Sequence, residues 1–370
     1  MSRVLLGDVA KERRETCKGS KDGYPIVGLE HLIPEEITLT VWDEGKENTF
    51  SKLFREGDIL FGRRRAYLKK AAIAPFDGIC SGDITVIEAI QERILPEMLP
   101  FIIQNDTLFD FAVGKSAGSL SPRVKWENLK NYEFELPDMD KQRELAKILW
   151  AIDTTKKTYQ KLLQKTDELV KSQFIEMFGD PKSNPKGLVM KTIGDVCDFE
   201  GGSQPPRSTF IFEPKVDYVR LIQIRDYKSN EYITYIPEQL AKKFCDVDDI
   251  MIGRYGPPIF QILQGLEGAY NVALMKAVPK DKNIDKEFLR FYLKRDELLH
   301  HLEMFQQRTV GQAGIEMNEL RNYPCLVPPM EEQKEFISFV RQSNKSKFEL
   351  EQALKELDST YKKIISENLG

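Results

Sequence analysis

Histidine is scarce in this chain, with only His31, His300 and His301 among 370 residues. The last two are adjacent in the helical stretch "LLHHLEMF", so they point in different directions and lack the i, i+4 partner that a shared metal would need. The five cysteines (Cys17, Cys80, Cys197, Cys245, Cys325) are odd in number, scattered and never spaced as CxxC. That excludes a disulfide framework and a cysteine zinc site. Apolar runs approaching a membrane span are missing, and "MSRVLLGDVAKERRETC" turns charged at once, so neither membrane insertion nor secretion is expected and the chain reads as cytoplasmic. The glycines never fall as GxxxxGK[ST], or as GxGxxG after a strand, which removes the usual phosphate loops. "PDMDK" (Pro137 to Lys141) looks like a nuclease motif, but its carboxylates sit at a helix start, where the dipole favours them. "GPPIF" (Gly256 to Phe260) resembles the proline pair of adenine methyltransferases, yet Gly256 stands where a side chain must hold the target amine. No catalytic residue, metal or cofactor is therefore expected on this chain. Net basic charge is lacking too: the formal value is -4, so the molecule is not a uniform nucleic-acid coat.

What is present is a globular composition, 41% hydrophobic and 30% charged, in a length that suits two to three domains. A repeat decides for two. "ELPDMDKQRELAKIL" (Glu135 to Leu149) and "LVPPMEEQKEFISFV" (Leu326 to Val340) share one grammar, pairing Pro137 with Pro328, Met139 with Met330 and Gln142 with Gln333 at a constant offset of 191. The same offset lays "LKNY" (Leu129 to Tyr132) on "LRNY" (Leu320 to Tyr323), and "GDILFGR" (Gly57 to Arg63) on "DDIMIGR" (Asp248 to Arg254). So long a period means that each copy is a domain, not a solenoid repeat.

Each copy opens with short apolar runs broken by Gly and Pro, such as "AAIAPFDGICSGDITVIEAI" and "VDYVRLIQIRDY", which predict a small mixed α/β domain. Each then closes on about forty residues of helical spacing: Leu145, Ile148, Leu149, Ile152 and onward to Phe178, and Phe336, Phe339, Val340 and onward to Ile364. The 4-3 spacing of Leu350, Leu354, Leu357, Tyr361 and Ile364 is a coiled-coil seam. At 1.5 Å per residue each rod spans about 60 Å. The economical arrangement is an antiparallel pair with a globular domain at either end; the alternative is each helix lying on its own domain's core. The fold class expected is mixed α/β, with domains at 1–137 and 191–328, long helices at 138–178 and 329–370, and a linker at 179–190.

The exposed chemistry is basic and loop-borne. "FGRRRAYLKK" (61 to 70) holds Arg63, Arg64, Arg65, Lys69 and Lys70 with Tyr67 and no acidic residue, a candidate phosphate-tracking patch. "SAGSLSPRVKW" adds Ser119, Ser121 and Arg123. In the second copy "GGSQPPRSTF" offers Gln204, Arg207 and Ser208, "LIQIRDY" offers Gln223 and Arg225, "GRYG" offers Arg254 and Tyr255, and "QQRTVGQAG" offers Gln307, Arg308 and Gln312. Arg forks match guanine O6 and N7, and Gln matches adenine N6 and N7, so this set suits major-groove reading.

Taken in order, "LPDMDKQREL", "FGDPKSNPKG", "GGSQPP", "YVRLIQIRD", "IGRYGPPIFQI", "GAYNVALMKAVP" and "TVGQAGIEMNELRNYPCLVPPMEEQ" make the chain resemble the specificity subunits of Type I DNA restriction and modification systems. The resemblance spans nearly the whole sequence. It implies two target-recognition domains, each reading one half of a split double-stranded DNA target, and an antiparallel helical pair that sets the spacer. It also implies recruitment of two methyltransferase subunits, which carry the S-adenosylmethionine, and of translocase-nuclease subunits that complete the restriction enzyme. Gln142 and Gln333 near the helix starts, with Leu163, Val170, Leu354, Leu357 and Tyr361 along the seams, are expected at the interface with a partner subunit or with the other helix. Asp138 replaces the second proline of the pattern, and Lys141 stands opposite Glu332. Two rival readings are a self-contained methyltransferase or nuclease, which S-adenosylmethionine binding would reveal, and a coiled-coil scaffold, which would show no DNA sequence preference.

Overall fold

The computed structural model describes residues 2–45, 48–256, 258–305, 307–309 and 312–369, with the side chains of 307–309, 312 and 313 excepted. The chain forms two compact units, one of residues 1–163 with 348–370, the other of residues 164–347.

The first unit is built on an antiparallel sheet in the order Ala10–Glu12, Ile84–Ala89, Ile59–Gly62, Ala71–Ile73. Beside it lies a three-stranded sheet in the order Ile26–Val27, Gly78–Cys80, Lys52–Phe54, whose first pair is parallel. The central strands read as continuous apolar runs because both of their faces are covered; Ile59, Leu60 and Phe61 are all buried. A ribbon pairs Ser2–Leu5 with Glu133–Leu136 in antiparallel register, Ser2 opposite Leu136. Two residues later the first long helix, Met139–Phe178, begins.

The second unit repeats this plan. One sheet runs Cys197–Gly201, Leu274–Pro279, Ile250–Gly253, Gln261–Leu263, and the other Tyr235–Pro237, Tyr218–Ile222, Gly268–Tyr270, Phe244–Cys245. A matching ribbon pairs Val189–Thr192 with Pro324–Val327 and leads into the second long helix, Met330–Asn368.

Each unit contains one end of both long helices, running antiparallel. In the first, Leu145 and Leu149 share a core with Ile365 and Leu369, and Lys156 bonds Asp358 at 2.5 Å while lying over the Tyr361 ring. In the second, Phe174 and Phe178 share a core with Phe336, Ile337 and Val340, and Lys347 bonds Asp167 at 2.6 Å. Helix pairing and packing on the domain core therefore occur together, and the helix ends belong to the domains. Each fully buried aromatic here contributes about 1.5–3 kcal/mol. Phe174, Phe178, Phe288 and Phe336 interlock with ring centroids between 5.1 and 6.3 Å apart, so the end of the first helix is a principal element of the second core.

Gln142 and Gln333 explain the repeated grammar at the helix starts. Both are buried, at 1% and 0% exposure. Gln142 accepts the Leu95 N–H at 2.9 Å and donates to the Pro137 carbonyl at 2.8 Å. Gln333 accepts the Asp285 N–H at 2.8 Å and donates to the carbonyls of Asn283 and Pro328 at 2.8 and 2.7 Å. The structure thus moves both amides from an expected interface into the interior of their own units, because a buried amide must spend its bonds on nearby backbone. Asp138 gains a bond that Pro329 cannot make, accepting the Lys141 N–H at 2.9 Å as a helix cap. The first helix ends at Gly179, whose φ of 77° is the left-handed stop that favours glycine.

Candidate nucleic-acid interface

In the first unit the strand Ile59–Gly62 delivers the chain into the basic segment. Arg63 stays tied to the sheet, its N–H donating to the Asp83 carbonyl at 3.0 Å and its carbonyl accepting from Val124 at 2.9 Å. The backbone then bridges Arg64 to Arg123, which brings the two candidate segments of this copy together. Arg64 Nε donates to Ser121 Oγ at 2.5 Å and its Nη1 lies 3.4 Å from Asp83. Arg123 Nε donates to the same carboxylate at 2.7 Å. The Arg123 hydrogen bond holds the Asp83 carboxyl below its ordinary range despite partial burial, so the anion is permanent near neutrality. It leaves the two guanidiniums positioned and partly neutralised. Arg65 and Tyr67 project outward, Tyr67 at 56% exposure. Lys69 is drawn to Asp106 at 2.5 Å, and Lys70 donates to the Leu29 carbonyl at 2.7 Å. A segment free of acid in sequence is thus less basic in space. Ser119 is exposed, and beside it Leu120 stands 91% exposed.

The second unit assembles the equivalent place from four loops. Arg254 leaves the strand Ile250–Gly253 as Arg63 leaves its own, its N–H donating to the Ala273 carbonyl at 2.9 Å. Tyr255 bridges Gly314 as Arg64 bridges Arg123, each partner 191 residues on. The Arg254 guanidinium lies 5.3 Å from the Tyr255 ring centroid and donates to the Val272 carbonyl at 3.4 Å. A Cβ on Gly201 would sit 3.9 Å from Arg254 Nη1, which sets the "GGSQPP" loop alongside. Gly202 cannot carry a side chain, since a Cβ there would meet the Asn271 carbonyl oxygen at 2.0 Å. Beyond it Gln204, Arg207 and Ser208 are exposed, and no ion pair involves Arg207 among the described residues. Ile224 reaches under the same strand end, its Cδ1 3.2 Å from where a Gly253 Cβ would be. Its neighbours Gln223 and Arg225 both bond Thr234 Oγ1, at 3.1 and 3.4 Å, and Arg225 lies over the Tyr232 ring. Burial pushes the carboxyl of Asp226 in this loop above its ordinary range. Gln307, Arg308 and Gln312 have backbone in a hairpin of Gln307–Thr309 with Gln312–Gly314; their side chains lie outside the described residues.

Of the seam residues, Leu163, Val170, Leu354, Leu357 and Tyr361 are all half-buried. Val170 packs on the second core and Tyr361 on the first, where it meets Phe101 with centroids 6.3 Å apart. Reading the residues in order missed Asp83, Leu120, Tyr232 and Thr234. A signal for Asp83 was the acid of "SGD" just before the strand Ile84–Ala89, where the second copy has Asn271 to Ala273 before Leu274–Pro279. Leu120 had none, because only the fold shows that its loop stands clear. Among the described residues no three His, Cys, Asp or Glu side chains are grouped to hold a metal, and no helix is long and apolar enough to cross a membrane.

A family model described as the Type I restriction modification DNA specificity domain matches residues 4–166 and again 185–357. The chain belongs to this family. One match to the specificity domain falls in each half of the chain. Its relatives agree in name. The Type I restriction enzyme MjaIX specificity subunit of Methanocaldococcus jannaschii is 26% identical over 199 residues, 48% of this chain but only 46% of that protein. The putative type I restriction enzyme MjaX specificity subunit of the same organism is 22% identical over 350 residues, 86% of this chain and 80% of that one. In fold the chain is similar to the crystal structure of the Type-I restriction-modification system S subunit from M. genitalium, with a TM-score of 0.62 at 11% identity, over 98% of this chain and 94% of that chain.

Proposed function

We propose that this chain directs a Type I restriction-modification enzyme to an asymmetric, two-part DNA target, each domain reading one part. The observation that supports this most is the equivalence of the two strand ends, Arg63-Arg64 and Arg254-Tyr255, hung on the same backbone bonds yet bearing different side chains. Shared scaffolding suits two pseudo-symmetric grips on duplex DNA, and unlike side chains suit unlike bases. On this reading Arg63, Arg64, Arg65, Tyr67, Lys69, Lys70, Ser119, Ser121 and Arg123 contact one half-site. Gln204, Arg207, Ser208, Gln223, Arg225, Arg254, Tyr255, Gln307, Arg308 and Gln312 contact the other. Phosphate contacts position the domains, and the Arg and Gln forks on open loops specify bases. The long helices set the distance between half-sites and carry the docking surface for two methyltransferase subunits, whose S-adenosylmethionine supplies the methyl group. Restriction subunits join them, and the assembly works in the cytoplasm. Sequencing of methylated bases, in cells expressing the chain with its methyltransferase subunit, tests the reading. Two different short tracts at a constant spacing are expected; a single continuous tract or a palindrome would refute it.

A further inference from the structure

Where the first long helix ends in the second unit, a cavity of about 310 Å³ opens beside the aromatic cluster. Phe174, Phe291, Ile337 and Val340 supply its apolar wall. Arg295 also lines it, with a side chain only 9% exposed. The guanidinium is clamped, 4.6 Å from the Phe174 ring centroid and 5.1 Å from that of Tyr292. Its Nη2 reaches Glu297 at 3.2 Å, while Nη1 is buried with no hydrogen-bond partner. A buried charged donor left unmatched costs more than a neutral one, so a scaffold does not keep it without reason.

The surrounding charge has the same bias. Lys171, Arg290, Lys294, Arg295, Arg341 and Lys347 line the cavity against four carboxylates. Those four are engaged: Asp296 by Lys171 at 2.5 Å, Glu287 by Arg290 at 2.7 Å, Asp167 by Lys347 at 2.6 Å and Glu297 by Arg295. Lys294 and Arg341 form no ion pair among the described residues, which leaves two positive charges in excess. The Lys294 ammonium is held below the usual lysine range, by desolvation first and then by the like charge of Arg290. The fold does not require a cation at the Arg295 position. In the first unit the same place before a nine-residue helix is filled by Asn105, which donates to the Leu369 carbonyl at 3.1 Å.

We propose that this cavity binds a small phosphate monoester carried on a flat or apolar body of mononucleotide size. Two uncompensated charges and a preset guanidinium fit a phosphate of charge about -1.5 to -2 better than a carboxylate. The volume and the apolar wall fit an attached body, since small-molecule sites combine an apolar lining with a few placed polar groups. Among the described residues, none of those proposed to read DNA lines it.

Calorimetry on the full chain tests it, with adenosine 5′-monophosphate as probe and adenosine and inorganic phosphate as its separate parts. The monophosphate should bind more tightly than either part. Lys294→Gln and Arg341→Gln should each weaken it about tenfold, with unchanged circular dichroism; Arg295→Gln should abolish it. Absence of binding at millimolar probe, equal binding of adenosine, or indifference to Lys294→Gln and Arg341→Gln would each overturn the proposal. Equal binding of inorganic phosphate would reduce the cavity to an anion hole. Displacement of the probe by a short duplex of unrelated sequence would assign the cavity to the DNA backbone instead.

Discussion

Replacing Gln333 by leucine is the sharpest test of how each domain holds its long helix. The side chain is fully buried and makes three hydrogen bonds, with the Asp285 N–H and with the carbonyls of Asn283 and Pro328. Leucine fills a similar volume but leaves those three backbone groups unmatched. At about 1–3 kcal/mol for each buried unsatisfied group, discounted because the loop around Asn283 can relax toward water, the loss should be about 3–5 kcal/mol. Gln142→Leu strands only two groups, the Leu95 N–H and the Pro137 carbonyl, so its cost should be smaller by about 1 kcal/mol. Because two units unfold, a single melting temperature does not report either one. Hydrogen exchange read by mass spectrometry on peptides from 283–293 and 330–340, against those from 95–103 and 139–149, separates them. Gln333→Leu should raise exchange in the first set and leave the second near wild type. A loss below about 1 kcal/mol, or equal losses in both units, would refute the idea that these amides pin helix starts to their own domains.

Arg254→Ala and Arg207→Ala should each weaken binding to the methylated target by about 1–3 kcal/mol for a lost bidentate base contact, measured by gel shift with methyltransferase subunits present; normal methylation of the normal site by both variants would contradict the assignment. Inserting one helical turn into both long helices should lengthen the unread spacer between half-sites, and an unchanged spacer in methylated-base sequencing would reject the ruler. Asp226→Asn should stabilise the second unit at neutral pH. The folded-state pKa of this carboxyl is raised by burial, so its stabilising contribution is full below the ordinary carboxylate pKa and is lost as pH rises through the raised value. The gain from asparagine should therefore vanish in acid; a constant gain across pH would point to another cause.

The helices, the duplication and the basic segment were legible because each rests on a local or periodic pattern. Four-and-three spacing needs only the chain's own order to be seen. The candidate interface was legible as residue types but not as a place. Arg64 and Ser121 lie 57 residues apart and meet at 2.5 Å, and "FGRRRAYLKK" gave no hint of Asp83 or Asp106, which take up part of its charge. Gln142 and Gln333 repeat in the sequence, but their burial rests on backbone groups of Leu95 and Asn283 that lie some fifty residues away and meet them only in the fold.

By itself the order of residues determined that one domain plan occurs twice, that each copy ends in a long amphipathic helix, and that Arg and Gln collect on glycine-bearing loops. These follow from periodicity, propensity and composition, which are properties of neighbours along the chain. Only the tertiary structure decided that the helix ends are core elements of the domains, that loops far apart in sequence converge on one strand end, and which charges remain uncompensated. Those outcomes depend on burial and on partners brought from a distance, and the cost of an unmatched polar group exists only once water has been excluded from it.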